Sequence, residues 1–270
     1  MKENRPIHTQ EDIEKLRAKK AFLCDMDGVL YHGNRMLPGA IEFAKWLADK
    51  NKAYLFLTNS GERTQRELSE KLKRMGMIVD ESHFYTSALA TAQFLASQKP
   101  NGSAYVIGNS GLTNALYEVG YSMNDIDPDY VIVSETPEYN FVRICRAIKL
   151  VRAGAKLIGT NPDMTGPAEG GEIVPATGSL IAPIELATGA KPYFIGKPNP
   201  LIMRNAIARL GVSREETAII GDRMDTDMIA GIEASMTTVL VLSGVTSETE
   251  LFNFAYRPDY VFNGIGDIPG

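Results

Sequence analysis

The chain has 270 residues, 44% of them hydrophobic, with 28 Lys and Arg against 33 Asp and Glu. That length and composition can bury a sizeable core in one large or two medium domains and exclude wholesale disorder. The mildly negative balance supplies no field to gather nucleic acid or anionic lipid, so a small-molecule partner is expected, with no nucleic acid and no membrane.

The opening MKENRPIHTQEDIEKLRAKK is polar and has no apolar signal core, and no later run approaches the roughly 20 apolar residues of a membrane span. A cytoplasmic protein is the expectation. Within that opening, EDIEKLRAKK carries mixed charges at helical spacing and reads as a solvated helix. KAFLCD then reads as a buried strand, followed by PGAIEFAKWLADKN, a helix with Ile41, Ala44 and Leu47 on one face and Trp46 as a packing residue. AYLFLTNS is the next strand. TQRELSEKLKRMG follows as a helix, with Leu68, Leu72 and Met75 on one face and Gly76 as its stop. Further strands are read in SAYVIG, PDYVIVSE, AKLIGTN, PYFIG, TAIIGD and TTVLVLS, most of them separated by amphipathic segments. Such alternation predicts an α/β protein with parallel sheets covered by helices on both faces, and the strands are too many for one sheet.

Smaller features have plain structural readings. Cys24 and Cys145 form no disulfide framework and read as small core residues, and His8, His32 and His83 lack metal-ligand spacing. GNSG at 108–111 lacks the full dinucleotide-binding pattern and reads as a strand-to-helix turn, and NGS at Asn101 reads as a turn.

In open parallel sheets, functional groups collect where strands end at their carboxyl edge. After FLC come Asp25 and Asp27; after YLFL come Thr58 and Asn59; after YFI come Gly196 and Lys197; after AII come Gly221 and Asp222, with Asp225 and Asp227 close behind. AYVIGNSG and VIVSE end without a comparable ionisable set. Adjacent carboxylates resist ionising together unless a cation sits between them. Asp25, Asp222 and Asp227 are candidate oxygen ligands for Mg²⁺, which commonly takes one or two protein carboxylates together with a substrate phosphate. A carboxylate at Asp25 can attack phosphorus and form an aspartyl-phosphate. Asp27 can point to the same side and protonate the leaving oxygen. Gly28 allows the turn between them, Thr58 can donate to a phosphoryl oxygen, and Lys197 can offset charge repulsion.

DMDGVL, LTN, GKP and GDRMDTD, in this order, resemble the four motifs of the haloacid dehalogenase superfamily. DMDGVLYHGNRMLPGA, FYTSALATAQFL, GTNPD and VLVLSGV resemble its NagD-like and p-nitrophenylphosphatase branch along nearly the whole chain after about Lys20. The resemblance implies a Rossmann-like parallel-sheet core over 1–79 and 182–270, with a large α/β cap inserted at 80–181. It implies Asp25 as nucleophile, Asp27 as acid/base that also offers its backbone carbonyl to Mg²⁺, Thr58 as phosphate-binding hydroxyl and Lys197 as charge-balancing lysine. Asp222 and Asp227 are implied as metal ligands, Asp227 either directly or through a coordinated water. Asp225 is read as the cap of a helix beginning near Thr226.

The expected reaction is hydrolysis of small phosphate monoesters such as nucleoside monophosphates, sugar phosphates and p-nitrophenyl phosphate. Dehalogenases of this fold lack the second aspartate, and its transport ATPases carry threonine there together with membrane spans. A phosphomutase or phosphotransferase of the same fold is the runner-up, and a non-catalytic sensor of a phosphorylated metabolite is the rival from another class. Substrate choice is expected to lie in the cap. The Gly- and Pro-rich block IGTNPDMTGPAEGGEIVPATGS reads as a long surface connection whose TNPD matches a family segment facing the core site. Asn161 and Asp163 are therefore candidate substrate contacts, with Asn59 and Gly28 beside the phosphate. The resemblance to this branch implies homodimerisation through the cap.

Overall fold

A computed structural model of the protein describes residues 8–167 and 172–269. The chain divides into two compact units, Met1–Thr58, Ser69–Phe84 and Met203–Gly270 in the first, and Asn59–Leu68 and Tyr85–Ile202 in the second. Each of the eight apolar runs read as strands forms one, and the alternation with helices is present throughout. No helix among the described residues is long and apolar enough to cross a membrane.

The first unit is built on a six-stranded sheet in the order Tyr260–Phe262, Thr237–Val241, Thr217–Gly221, Ala21–Asp25, Ala53–Thr58 and Phe84–Thr86, the last short strand straddling the unit boundary. The central pairs are parallel, with Asp25 level with Leu57, and Cys24 level with Ile220. Phe22, Leu23, Cys24, Phe56, Ile219 and Ile220 are all buried, because helices cover both faces of a parallel sheet and leave no strand side for water. The strand Ala21–Asp25 has the next strand of this sheet in the chain, Ala53–Thr58, on one side and the much later Thr217–Gly221 on the other. It is thus the point where strand order reverses, and the carboxyl ends on either side of such a point open into a crevice.

The helix Ala40–Asp49 packs Phe43 and Trp46 against Phe22, with ring centroids 6.2 and 5.4 Å apart. Its buried residues are Ala40, Phe43, Ala44 and Leu47, whereas Ile41 is 41% exposed. The expected stripe was therefore rotated by part of a turn, because the bulkier Phe43 takes the place against the sheet. The helix Gln65–Arg74 buries Leu68 and Leu72 as expected and is followed by Gly76 at φ +94°, a left-handed position suited to glycine. The helix Gln10–Arg17 is capped by Thr9 and Asp12, and buries only Leu16.

The second unit holds a five-stranded parallel sheet in the order Tyr193–Phe194, Lys156–Gly159, Tyr130–Val133, Ser103–Ile107 and Ser122–Met123. Ile107, Val131, Val133, Leu150, Leu157, Ile181 and Ile184 form its core with helices Phe141–Ala153 and Thr177–Thr188. By packing, this unit also holds 182–202, because the helix that begins at Thr177 and the strand Tyr193–Phe194 both belong to its layers. The segment read as a long connection contains an antiparallel hairpin, Thr165–Pro167 with Ile173–Pro175; residues 168–171 of that segment lie outside the described residues.

Two cysteine readings separate. Cys24 is buried in the central strand, but Cys145 is exposed on the helix Phe141–Ala153. It corrects the expectation of a core residue: Ala147, Leu150 and Val151 are the positions of that helix that reach the sheet.

Candidate active site

In the first unit, three strand-end carboxylates converge. Asp25 closes its strand, Asp222 follows Thr217–Gly221 directly, and Asp227 lies in the π-helical turn Met224–Met228. One carboxylate oxygen of each lies within 4.8 Å of the others, with Asp222 2% and Asp227 1% exposed. Three carboxylates this close, two of them buried, repel in a medium that screens weakly, so the arrangement demands a positive partner. All donors are hard oxygens, the ligand set that suits a hard divalent cation.

The backbone around Asp222 is shaped to hold it. Gly28 sits at φ +82°, and a Cβ there would come within 2.4 Å of Asp222 Oδ2; a Cβ on Gly244 would come within 2.0 Å of the same atom. Both positions are glycine because the carboxylate passes against bare backbone. The Val245 N–H donates to Asp222 Oδ2 at 2.7 Å, the Thr246 N–H to the Asp222 carbonyl at 3.1 Å, and Ser243 Oγ to the Gly28 carbonyl at 2.7 Å. Residues 243–246 thus join both aspartate-bearing loops. Sequence reasoning left them out of the site, although the stretch stands directly after the apolar strand Thr237–Val241, where the strand-end rule would have found it.

Asp27 lies just beyond the strand, with its side chain 38% exposed and His32 Nδ1 3.6 Å from Oδ1. Burial raises its carboxyl above the ordinary range, while Lys71 and His32 pull the other way. A carboxyl raised in this way holds its proton more readily than an ordinary one, which suits a group that gives a proton to a leaving oxygen and takes one back. His32 Nε2 lies 2.7 Å from the Ser243 carbonyl, an atom that can only accept, so this nitrogen carries the proton. Lys71 Nζ lies over the Tyr31 ring, 3.9 Å from its centroid. Thr58 ends the strand Ala53–Thr58, half-buried. Asp225 does not cap the following turn; it pairs through both oxygens with Arg223, at 3.0 and 2.9 Å, and is largely exposed. The carboxylate that does bond the turn's backbone is Asp227, which accepts from the Arg223 N–H at 3.2 Å.

In the second unit, Lys197, Asn59, Asn161 and Asp163 come together. Lys197 is 2% exposed, and its peptide is read at both ends by the Asn59 carboxamide: its N–H donates to Asn59 Oδ1 at 2.7 Å, and its carbonyl accepts from Asn59 Nδ2 at 2.9 Å. Asn59 Nδ2 also donates to Asp163 Oδ2 at 2.9 Å. Asn161, fully buried, donates through Nδ2 to the Asn59 carbonyl at 2.7 Å and to Glu135 Oε1 at 2.6 Å. Glu135 was passed over at the sequence level, where VIVSE was read as ending without a comparable set of ionisable groups. A lone glutamate after a strand carries no local sign that it will meet two amides from elsewhere.

The structure therefore gathers Asp25, Asp222 and Asp227 with Gly28 in one unit, and Asn59, Asn161, Asp163 and Lys197 in the other. The sequence pattern of the haloacid dehalogenase-like hydrolases matches residues 22–122, and that of the HAD-hydrolase-like proteins matches residues 194–268. The chain is 48% identical over 248 residues to the dihydroxyacetone phosphatase of Corynebacterium glutamicum, covering 92% of this chain and 90% of that one. It is 41% identical to the ribonucleotide monophosphatase NagD of Escherichia coli over 92% and 98% of the two chains. A solved 4-nitrophenylphosphatase from Thermotoga maritima shares the fold at a TM-score of 0.89 and 33% identity, over 94% and 97% of the chains. The chain belongs to the haloacid dehalogenase-like hydrolases, among which it is a phosphoric monoester hydrolase of the NagD-like and p-nitrophenylphosphatase group. Phosphatases of this family depend on a metal ion and act on small phosphorylated compounds, and the acidic triad is the donor set such an ion needs.

Proposed function

We propose that the protein hydrolyses small phosphate monoesters, sugar phosphates and nucleoside monophosphates foremost, through an aspartyl-phosphate on Asp25. The observation that carries this reading is the convergence of Asp25, Asp222 and Asp227 within 4.8 Å at the end of the central strand. Their oxygens suit Mg²⁺, held by Asp25, Asp222 and Asp227 with the backbone carbonyl of Asp27. Bound there, the ion would neutralise the carboxylates and the phosphoryl charge.

Asp25 attacks phosphorus while Asp27 gives its proton to the leaving oxygen, so the alcohol departs neutral. Asp27, now ionised, takes a proton from the water that attacks the phospho-Asp25, releasing inorganic phosphate and restoring the carboxylate. Thr58 donates to a phosphoryl oxygen, and Lys197 balances its charge. Supporting the acid/base role is the raised carboxyl of Asp27. Residues 80–181 serve as the cap that selects the leaving group, with 1–79 and 182–270 as catalytic core, a division drawn from the motifs. Gly28, Asn59, Asn161 and Asp163 shape the substrate's surroundings, the last three as one hydrogen-bonded set. The activities named for the Corynebacterium and Escherichia relatives support a small metabolite as substrate. We further take the enzyme to be cytoplasmic and to form a homodimer through its cap, the latter to be dropped if it sediments as a monomer at micromolar concentration.

Phosphate release from p-nitrophenyl phosphate, dihydroxyacetone phosphate and nucleoside monophosphates, with Mg²⁺ or chelator, tests the reading. Release that requires Mg²⁺ and is lost in Asp25→Asn is the expected result. Full turnover by Asp25→Asn would overturn the mechanism, and activity confined to a phosphopeptide would overturn the substrate class.

A further inference from the structure

Glu135 follows the second-unit strand Tyr130–Val133, half-buried, and both its oxygens are engaged by protein donors. Oε1 accepts from Asn161 Nδ2 at 2.6 Å; Oε2 accepts from the Gly61 N–H at 3.2 Å and from Ser134 Oγ at 3.1 Å. Asn161 Nδ2 also holds the Asn59 carbonyl at 2.7 Å, beside Ser87 Oγ at 2.5 Å, so this one carboxylate reaches the peptides on either side of Ser60, once directly and once through an amide. Asn59 in turn grips the Lys197 peptide with both ends of its carboxamide. Asp163 closes the ring, accepting from Asn59 Nδ2 and donating its N–H to Asn161 Oδ1 at 3.1 Å.

The ring is closely packed. A Cβ on Gly61 would lie 2.6 Å from Ser134 Oγ, and one on Gly196 would lie 2.6 Å from Asn59 Oδ1, so the backbone on both sides packs directly on the network. Hydrogen bonds to an ionised carboxylate are shorter and stronger than neutral ones, and in a buried network each bond supports the next. Glu135 supplies that charge.

We propose that Glu135 is a positioning residue for the phosphatase reaction, its carboxylate fixing the 59–61 backbone and, through the Asn59 carboxamide, the peptide of Lys197. The inference rests on the reading in which Thr58 and Lys197 serve the phosphoryl group. Thr58 precedes Asn59 in the chain, so both residues are set by the same ring. Glu135 does not touch substrate; it determines where two groups that do are held. Misplacing reacting groups by about 1 Å costs on the order of 100-fold in rate. The loss should therefore fall on kcat rather than on KM.

The test compares Glu135→Ala, Glu135→Gln and Thr177→Val with wild type and Asp25→Asn on p-nitrophenyl phosphate with Mg²⁺, recording kcat, KM and Tm. Thr177 contributes a hydroxyl to the same buried cluster, 3.2 Å from Asn161 Nδ2, but its loss leaves the two short Asn161 bonds intact. Glu135→Ala is expected to lower kcat about 100-fold with KM changed by less than about threefold. Glu135→Gln retains an acceptor for Asn161 and loses the one for Gly61, so its kcat should lie between those of Glu135→Ala and wild type. Thr177→Val should lower Tm with kcat unchanged. Wild-type kcat in Glu135→Ala, measured well below its Tm, would overturn the proposal, as would an equal kcat loss in Thr177→Val. Should Glu135→Ala fail to fold, wild-type kcat in Glu135→Gln overturns it instead. Absence of turnover in wild type would overturn the underlying phosphatase reading and this inference with it, an outcome distinct from the others because Asp25→Asn and wild type would then coincide.

Discussion

The two units solve opposite problems with the same kind of sheet. Both have parallel central strands that are largely buried, and both carry polar groups at the strand ends. In the first unit those groups are like charges: Asp25, Asp222 and Asp227 crowd together and raise the energy of the protein by itself. In the second they are complementary: the amides of Asn59 and Asn161 supply the donors that the Glu135 and Asp163 carboxylates accept. The first arrangement gathers like charges around one point, whereas the second pairs donors with acceptors.

The sharpest way to break this contrast is Asp25→Asn. It should lower turnover by about 10⁴-fold or more, while the metal-free protein becomes no less stable, because one repelling charge has gone. A drop in Tm in chelator would mean that the triad is held by internal bonds rather than poised for a cation. In the wild type, Mg²⁺ at about a hundred times its Kd should add about 2.7 kcal/mol to unfolding stability, and Asp222→Asn should cancel most of that gain. Asn161→Leu makes the converse test in the second unit. It removes the donor to Glu135 Oε1 and one of the two donors to the Asn59 carbonyl, which keeps Ser87 Oγ, and should cost about 2 kcal/mol by chemical denaturation whether or not metal is present. Gly244→Ala should cost about 2 kcal/mol by driving a methyl into Asp222; unchanged stability would show that the loop 243–246 gives way.

A subtler effect concerns Asp27. Its carboxyl is raised, so the folded protein holds the proton more tightly than the unfolded chain does. That preference contributes stability in full below about pH 3.9, the unfolded value, and is lost as the pH rises through the folded value. In chelator, Asp27→Asn should therefore have a Tm at or above wild type at pH 7, with the gap closing toward pH 4, although its turnover falls strongly. A gap that widens toward acid would contradict the raised value. Smallest of all, Cys145 should react with a thiol reagent in the native state while Cys24 reacts only after unfolding, and Cys145→Ser should change stability by less than about 0.5 kcal/mol.

Much of the fold was legible because its signals are local. An apolar run ending in a polar residue looks the same in isolation as in a sheet, and the eight runs from KAFLCD to TTVLVLS are all strands. Strands such as Ser122–Met123 and Tyr260–Phe262 were missed because two or three residues are too few to show a period. Ile41 and Phe43 were ranked by spacing alone, and the contact with Phe22 decided between them. Asp225 had the right spacing for a cap, but Arg223 offered it a two-pronged partner in water.

By itself, the sequence determined which residues stand at strand ends, because hydrophobic runs and the motifs that close them are written in consecutive positions. Asp25, Asp27, Thr58, Lys197, Asp222 and Asp227 follow from that rule. Only the tertiary structure decided which of those ends meet. The pairing of Ala21–Asp25 with Thr217–Gly221 draws three carboxylates into one cluster, and Gly28 and Gly244 close around Asp222. Glu135, ordinary just after its strand, became the centre of a ring because Asn161 and Gly61 arrive beside it from distant parts of the chain. Periodicity sees a few neighbours at a time, whereas parallel strands joined through long crossovers bring together residues with no local relation, and there the chemistry of the site is set.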